Sequence, residues 1–220
     1  MRIAECGFYT PRSAFSYPYQ AIIFDLLSAL LNSWKLWNEI AGSDEIGLRW
    51  RKRYIQLTYA AGRYRPYEGI IGEAAAAEGI PEDRAARLIQ SWAKLEPWPE
   101  TEEVLDRLQQ QAALAVVTNC SEELAGIALE KTRIHFTEVV TAERAGFYKP
   151  HPQAYCLALE ELGVEPARAR SDAGGSCFRL PQCPLRSNSE PIEKSEKRGN
   201  ILVSQRSFTR KAQRKLLLFF

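Results

Sequence analysis

Two short apolar segments that each end in polar side chains constrain the fold of this 220-residue chain more than any other feature. The first, Ala21–Phe24, is followed directly by Asp25; the second, Leu114–Val117, is followed by Thr118 and Asn119. Short unbroken apolar runs of this kind are typical of strands buried on both faces of a parallel sheet. Helical patterns follow both segments, and this alternation predicts an α/β fold with right-handed crossovers.

A long helical stretch separates the two predicted strands. It includes residues 26 to about 60 and helix-favouring runs within residues 69–95. This connection is far longer than an ordinary crossover, so we interpret it as a helical cap inserted above the sheet. Further along, Glu138–Thr141 is predicted as a third strand and Pro152–Leu162 as a helix. Ligands of such sheets bind beyond the carboxyl ends of the strands, where the polar residues are expected.

Composition excludes several other classes of protein. No apolar run approaches the roughly 20 residues that span a bilayer, and the first twenty residues lack the apolar core of a signal peptide. Five cysteines make an odd number without a CxxC pair, which argues against a disulfide framework and fits a cytoplasmic location. Two histidines and the lack of a GxSxG segment argue against a His-rich metal site and a serine-hydrolase elbow.

Three short segments carry a family resemblance when they are taken in order. They are Phe24–Leu30, Val116–Ser121 and Phe147–Pro152. Together they resemble the first three motifs of the haloacid dehalogenase-like (HAD) hydrolase superfamily. Two further segments, Arg49–Tyr59 and Lys149–Tyr155, are similar to the cap helix and the KPxPxxY segment of its 2-haloacid dehalogenase branch. The resemblance covers about residues 21–169.

The resemblance implies a HAD-like Rossmannoid parallel sheet with an inserted helical cap. The core would comprise residues 21–36 and 97–170, and the cap would comprise residues 37–96. An irregular leader over residues 1–20 and a basic, disordered tail over residues 171–220 would complete the chain.

The resemblance also implies a reaction. Asp25 would attack the halogen-bearing carbon of a small 2-haloacid and form an ester that water then hydrolyses. Lys149 would keep Asp25 ionised by lowering its pKa, and Arg51 would grip the substrate carboxylate or the departing halide. The substrate-binding residues would be Thr118, Asn119 and Tyr155. No metal or other cofactor takes part in this chemistry.

Two alternatives use the same fold. A HAD phosphatase acting on a small phosphoester would need Mg²⁺ and a general acid two residues after the nucleophile, but Leu27 stands there and can neither transfer a proton nor bind a metal. The dehalogenase branch has an aromatic residue at that position and needs no metal. Ala29 also departs from the family, which usually has a hydroxyl there, so a truncated, catalytically inactive chain is the second alternative.

The last fifty residues differ from the rest of the chain. Residues 171–220 contain ten Lys and Arg against four Asp and Glu, a net charge of +6, whereas residues 1–170 carry −4. The polar run after Ala169 replaces the family's apolar fourth strand, so we predict that this strand is missing or distorted and does not place Asp172 at the site. The overall net charge of +2 indicates no polyanionic partner. The expected partner is a small-molecule substrate rather than nucleic acid or a membrane, with a homodimer left open.

Overall fold

One mainly parallel sheet carries the polar strand ends. The computed structural model of the chain describes residues 19–165, 169–172 and 177–178. The five strands lie in the order β3-β2-β1-β4-β5. The first four are parallel, and β5 runs antiparallel to β4. Their bounds are β1 Ala21–Phe24, β2 Ala113–Thr118, β3 Glu138–Thr141, β4 Ala169–Asp172 and β5 Cys177–Phe178.

Eight α-helices surround this sheet within the described residues. The helices between β1 and β2 are α1 Ser33–Ala41, α2 Asp44–Ala61, α3 Tyr67–Ala77, α4 Glu82–Gln90 and α5 Thr101–Gln109. The later helices are α6 Glu122–Leu129, α7 Ala142–Ala145 and α8 Gln153–Leu162. A π-helical turn, Leu26–Leu30, follows β1, and a 3₁₀ turn, Trp92–Lys94, follows α4. Helices α2 to α4 lie within residues 37–96, the region predicted as the cap, and α1 begins four residues before it.

The first strand is buried on both faces, as its unbroken apolar sequence predicts. Ile22 and Phe24 belong to the larger apolar cluster, which includes the cap helices. Ala21 and Ile23 lie on the other face, in a second cluster that includes residues of α8. Because successive side chains of a strand alternate between faces, only a continuous apolar run satisfies both layers.

The helical stretch after β1 is interrupted twice, although its pattern reads as one long helix. Asn32 accepts a hydrogen bond from the backbone of Lys35 and begins α1, and Ser43 accepts one from Ile46 and begins α2. Between them, Gly42 has a φ of +89° and ends α1. Glycine tolerates this left-handed conformation, so the chain reverses there and α1 packs against α2.

The fourth parallel strand is present, but it is short and polar. Over Ala169–Asp172 it pairs with β1, with Asp172 opposite Phe24. This confirms the expected distortion of the strand. The expectation that Asp172 lacks a strand is wrong, because backbone pairing with β1 requires no apolar side chains. The predicted boundary at residue 170 falls within β4, and most of the predicted tail and leader lies outside the described residues.

Two further expectations concern membranes and cysteines. In the described part of the chain, no helix combines the length and the apolar character needed to cross a bilayer. Cys120 is free and buried. Cys156 on α8 is disulfide-bonded. A single disulfide is not the disulfide framework against which the cysteine count argues.

Candidate active site

Asp25 lies at the carboxyl end of β1 and caps the π-helical turn that follows. Its Oδ2 accepts hydrogen bonds from the backbone N–H of Ser28 at 2.9 Å and from the Ser28 hydroxyl at 2.6 Å. A capping aspartate satisfies the free N–H groups at a helix start and orients its own carboxylate. The capping role therefore uses one carboxylate oxygen and leaves the other for a different partner.

That partner is Lys149, which lies 124 positions further along the chain. Its Nζ donates to Asp25 Oδ1 at 2.6 Å and to the Val117 carbonyl, also at 2.6 Å. The Lys149 backbone N–H donates to Asn119 Oδ1 at 2.8 Å. Since Val117 and Asn119 flank the end of β2, these contacts attach the lysine segment to the end of the strand beside β1.

The electrostatics of the pair favour the ionised form of both groups. Burial alone would raise the pKa of Asp25, but the charge of Lys149 and the hydrogen bonds from Lys149 and Ser28 outweigh burial and hold that pKa below its ordinary value. Burial alone would lower the pKa of Lys149, and the Asp25 carboxylate reverses this and raises it. A carboxylate that stays ionised in a buried site is equipped to act as a nucleophile.

Arg51 reaches the site from the cap helix α2 and is almost completely buried, with 5% of its surface exposed. Its guanidinium carbon lies 4.0 Å from the centre of the Trp34 ring, and its Nη1 donates to the Ser33 hydroxyl. Its Nε is buried and has no hydrogen-bond partner among the described residues. Burial lowers the pKa of Arg51, which the nearby Tyr54 and Asp25 partly oppose.

The predicted substrate-binding residues occupy different surroundings. Thr118 is fully buried, and its Oγ1 accepts from the Cys120 backbone N–H and donates to Cys120 Sγ, both at 3.4 Å. Asn119 holds the backbone of Lys149, as described above. Tyr155 lies half-buried on α8 and packs against the apolar cluster on the other face of the sheet. It is near enough to contribute to the raised pKa of Lys149.

Several residues at the site carry no signal strong enough for the sequence to single them out. Ser28 follows Asp25 at capping distance, which is a weak signal of a local hydrogen bond. Tyr67 is fully buried at the start of α3, and its hydroxyl interacts with the Tyr54 hydroxyl and the Cys120 thiol. Cys120 is also fully buried, and burial raises the pKa of its thiol to about 12. At neutral pH its thiol is therefore protonated and unsuited to nucleophilic attack.

Metal ligands are not clustered around Asp25 in the described part of the chain. Nowhere in the described ranges do three His, Cys, Asp or Glu side chains gather in a way that could hold one. Leu27, two residues after Asp25, is 5% exposed and belongs to the apolar core.

Comparisons with known proteins agree with this geometry. A family model described as haloacid dehalogenase-like hydrolase matches residues 19–169. The chain belongs to this family. Haloacetate dehalogenase H-2 of Moraxella sp. (strain B) is 30% identical over 132 residues, which cover 54% of this chain and 59% of that protein. The (S)-2-haloacid dehalogenase of Xanthobacter autotrophicus is 28% identical over 129 residues, covering 54% and 51%. The match thus spans little more than half of each relative.

Solved structures of the dehalogenase-like family share the fold of this chain. The L-2-haloacid dehalogenase from Xanthobacter autotrophicus superposes with a TM-score of 0.62 at 22% identity, over 69% of this chain and 68% of that one. The same enzyme with chloropropionic acid covalently bound gives a TM-score of 0.61 at the same identity and coverage. At this identity, the likeness shows the arrangement of sheet and cap.

Proposed function

We propose that this chain hydrolyses the carbon–halogen bond of a small 2-haloacid through an ester on Asp25. A carboxylate oxygen attacks the halogen-bearing carbon, a carbon–oxygen bond forms, and the halide leaves with the bonding electrons. Water then attacks the ester, regenerates the carboxylate and releases the 2-hydroxy acid and a proton. The balance is therefore one haloacid and one water consumed for one hydroxy acid, one halide and one proton.

The state of the Asp25 carboxylate carries this proposal. A carboxylate offers roughly four acceptor positions. Three donors among the described residues occupy positions on it: two from Ser28 on Oδ2 and the Lys149 ammonium on Oδ1. The remaining position is on Oδ1, so this oxygen is held in a fixed direction, ionised, and able to attack.

The other predicted residues fit supporting roles. Arg51 brings a positive charge to the same buried space and has an unpaired Nε–H for a substrate carboxylate or a leaving halide. Lys149 stabilises the carboxylate before attack and after hydrolysis. Asn119 orients the backbone of Lys149, and Thr118 and Tyr155 complete the predicted substrate-binding set. The names of the relatives support the substrate class, and the solved relative with covalently bound chloropropionic acid supports a covalent intermediate.

The two alternatives predict different outcomes at the same site. A phosphatase would need a general acid and a Mg²⁺ ligand at the position of Leu27, which is buried in the core. An apolar residue at this position disfavours the phosphatase reaction. A catalytically inactive chain is favoured by Ala29 and by the short, polar β4. Both remain distinguishable by direct assay.

The test is halide release from (S)-2-chloropropionate by purified protein. We expect stoichiometric chloride and 2-hydroxypropionate, and loss of both in Asp25→Asn, which keeps the side-chain shape. Asp106→Asn, an exposed aspartate on α5, is the matched control and should retain wild-type rates. Under single-turnover conditions in ¹⁸O-water, the first hydroxy acid should carry ¹⁶O from Asp25. Chloride release by Asp25→Asn at the wild-type rate would refute the assignment, and Mg²⁺-dependent phosphate release from p-nitrophenyl phosphate would favour the phosphatase.

The proposed homodimer and cytoplasmic location need separate measurements. Leu48 and Tyr59 are large apolar side chains on the outer side of α2, 39% and 49% exposed. They are eleven residues apart, close to three helical turns, and so share one face that a second copy would cover. Light scattering of wild type and Tyr59→Lys tests the dimer, and cell fractionation tests the location.

A further inference from the structure

Ser33 lies where the nucleophile segment, helix α1 and the cap arginine meet, and no site role has been given to it above. It is the first residue of α1 and is completely buried. Its hydroxyl donates a hydrogen bond to the carbonyl of Leu27, two residues after Asp25. The same hydroxyl oxygen accepts a hydrogen bond from Arg51 Nη1.

The chemistry of the two partners dictates the direction of both hydrogen bonds. A guanidinium has only donors, and a carbonyl oxygen has only lone pairs. The single Ser33 proton must therefore go to Leu27, and its lone pair must receive the Arg51 proton. No other residue type of this size can accept from one group and donate to the other with one atom, except threonine and, more weakly, cysteine.

Trp34, the next residue, restrains the same guanidinium from its face. The guanidinium carbon of Arg51 lies 4.0 Å from the Trp34 ring centre, a distance at which a cation and an aromatic ring attract. Ser33 holds Nη1 at the edge of the guanidinium, and the Trp34 ring restrains the guanidinium plane. The buried Nε of the same guanidinium has no hydrogen-bond partner in the described part of the chain.

We propose that Ser33 is a positioning residue that aims Arg51 at the anionic group of the substrate and couples the arginine to the nucleophile segment. This inference rests on the proposed function and deepens it, because it names the residue that sets the direction of the anion clamp. Ser33 itself does not bind the substrate anion, since its single hydroxyl proton is already donated to the Leu27 carbonyl. Its loss should therefore weaken anion binding through Arg51 alone.

The test compares Ser33→Ala, Ser33→Thr and Ser33→Cys with Ser43→Ala as the matched control. Ser43 caps the neighbouring helix α2, is exposed and hydrogen-bonds Ile46 rather than Arg51. Affinity is measured by titration calorimetry with propionate, a carboxylate without a halogen, and kcat and KM are measured with (S)-2-chloropropionate.

We expect Ser33→Ala to raise the dissociation constant of propionate and the KM about tenfold, the size expected for a lost hydrogen bond to a charged group. Ser33→Thr should retain most of the wild-type affinity for propionate, and the affinity of Ser33→Cys should lie between those of Ser33→Ala and Ser33→Thr. Ser43→Ala should lower the melting temperature without changing the affinity for propionate. In an Arg51→Lys background, Ser33→Ala should weaken the affinity for propionate by less than twofold. If Ser33→Ala fails to fold, the Ser33→Cys and Ser33→Thr pair carries the same comparison.

Each result separates the inference from the function on which it rests. Unchanged propionate affinity in folded Ser33→Ala or Ser33→Cys, or an equal loss with and without the native Arg51, would overturn the positioning role. Absence of halide release by the wild type, with the tenfold affinity difference intact, would overturn dehalogenation and leave the positioning role standing. Failure of the wild type to bind propionate at all would overturn both.

Discussion

Replacing Lys149 by methionine probes the electrostatic basis of the site most directly. The side chains of Lys149 and Asp25 are only 13% and 17% exposed, so the ion pair is largely shielded from solvent. Removing one member of a buried pair leaves the other charge uncompensated and costs about 3–5 kcal/mol. In a domain of this size, that loss corresponds to roughly 6–20 °C in melting temperature.

The same substitution should have a different effect when Asp25 is already neutral. In an Asp25→Asn background, the lysine is a buried cation without its partner, and replacing it by methionine removes that cost. The lost hydrogen bond to the Val117 carbonyl contributes only about 1 kcal/mol in the opposite direction. Lys149→Met should therefore leave the free energy of unfolding of Asp25→Asn nearly unchanged, or raise it.

Urea unfolding of the four proteins, followed by tryptophan fluorescence at pH 7, measures this cycle. Acidification gives a second readout, because Asp25 in Lys149→Met keeps its burial and loses the neighbouring cation, which raises its pKa above that in the wild type. The stability gap between wild type and Lys149→Met should narrow as the pH falls and the carboxyl becomes protonated. Equal destabilisation by Lys149→Met in both backgrounds would refute the electrostatic account.

Three further predictions test packing, burial and pH dependence. Gly47→Ala should destabilise the protein by about 1–3 kcal/mol in urea unfolding, because a Cβ there would lie 2.8 Å from the Cα of Asn38, where α1 and α2 cross; an unchanged midpoint would contradict this close approach. Tyr148→Phe breaks the 2.6 Å hydrogen bond from its buried hydroxyl to the Arg65 carbonyl and should lower the free energy of unfolding by about 1 kcal/mol; an unchanged melting curve would count against this. Because the pKa of Asp25 is lowered, its charge and the stability that this charge contributes persist as the pH falls through 3.8 and are lost only below that value. A ¹³C NMR titration of the Asp25 carboxyl should therefore give a midpoint under 3.8. A midpoint above 3.8 would contradict the paired geometry.

The elements that depend on local pattern could be predicted closely. The strand Glu138–Thr141 has the predicted bounds, and the second strand extends by one residue at each end of the predicted Leu114–Val117. The break between α1 and α2 was missed because Gly42 and a capping Ser43 interrupt a hydrophobic pattern that continues on both sides. Periodicity reports which face a residue occupies, and it is insensitive to a short reversal between two helices with similar faces.

Contacts between segments that are distant in the sequence could be predicted less well. The Asp25–Lys149 contact could be expected from the family resemblance, but its geometry depends on how two strand ends meet across the sheet. Strand β4 was not expected from its polar sequence, because parallel pairing draws on the backbone of β1 and leaves no side-chain signal. The link from Ser33 to Arg51 also has no sequence signature, since a serine at a helix start looks the same whether or not it contacts a distant arginine.

The sequence by itself determined the class of this protein: buried strands ending in polar residues, a helical insertion, and three motifs in the order typical of haloacid dehalogenase-like hydrolases. Tertiary structure alone decided which polar groups are already satisfied and which remain available. Three donors converge on Asp25, Ser33 occupies one nitrogen of Arg51, and the Nε of that arginine has no partner in the described residues. The physical reason is that hydrogen bonds have short range and fixed direction, so their pairing depends on where the folded chain brings segments together.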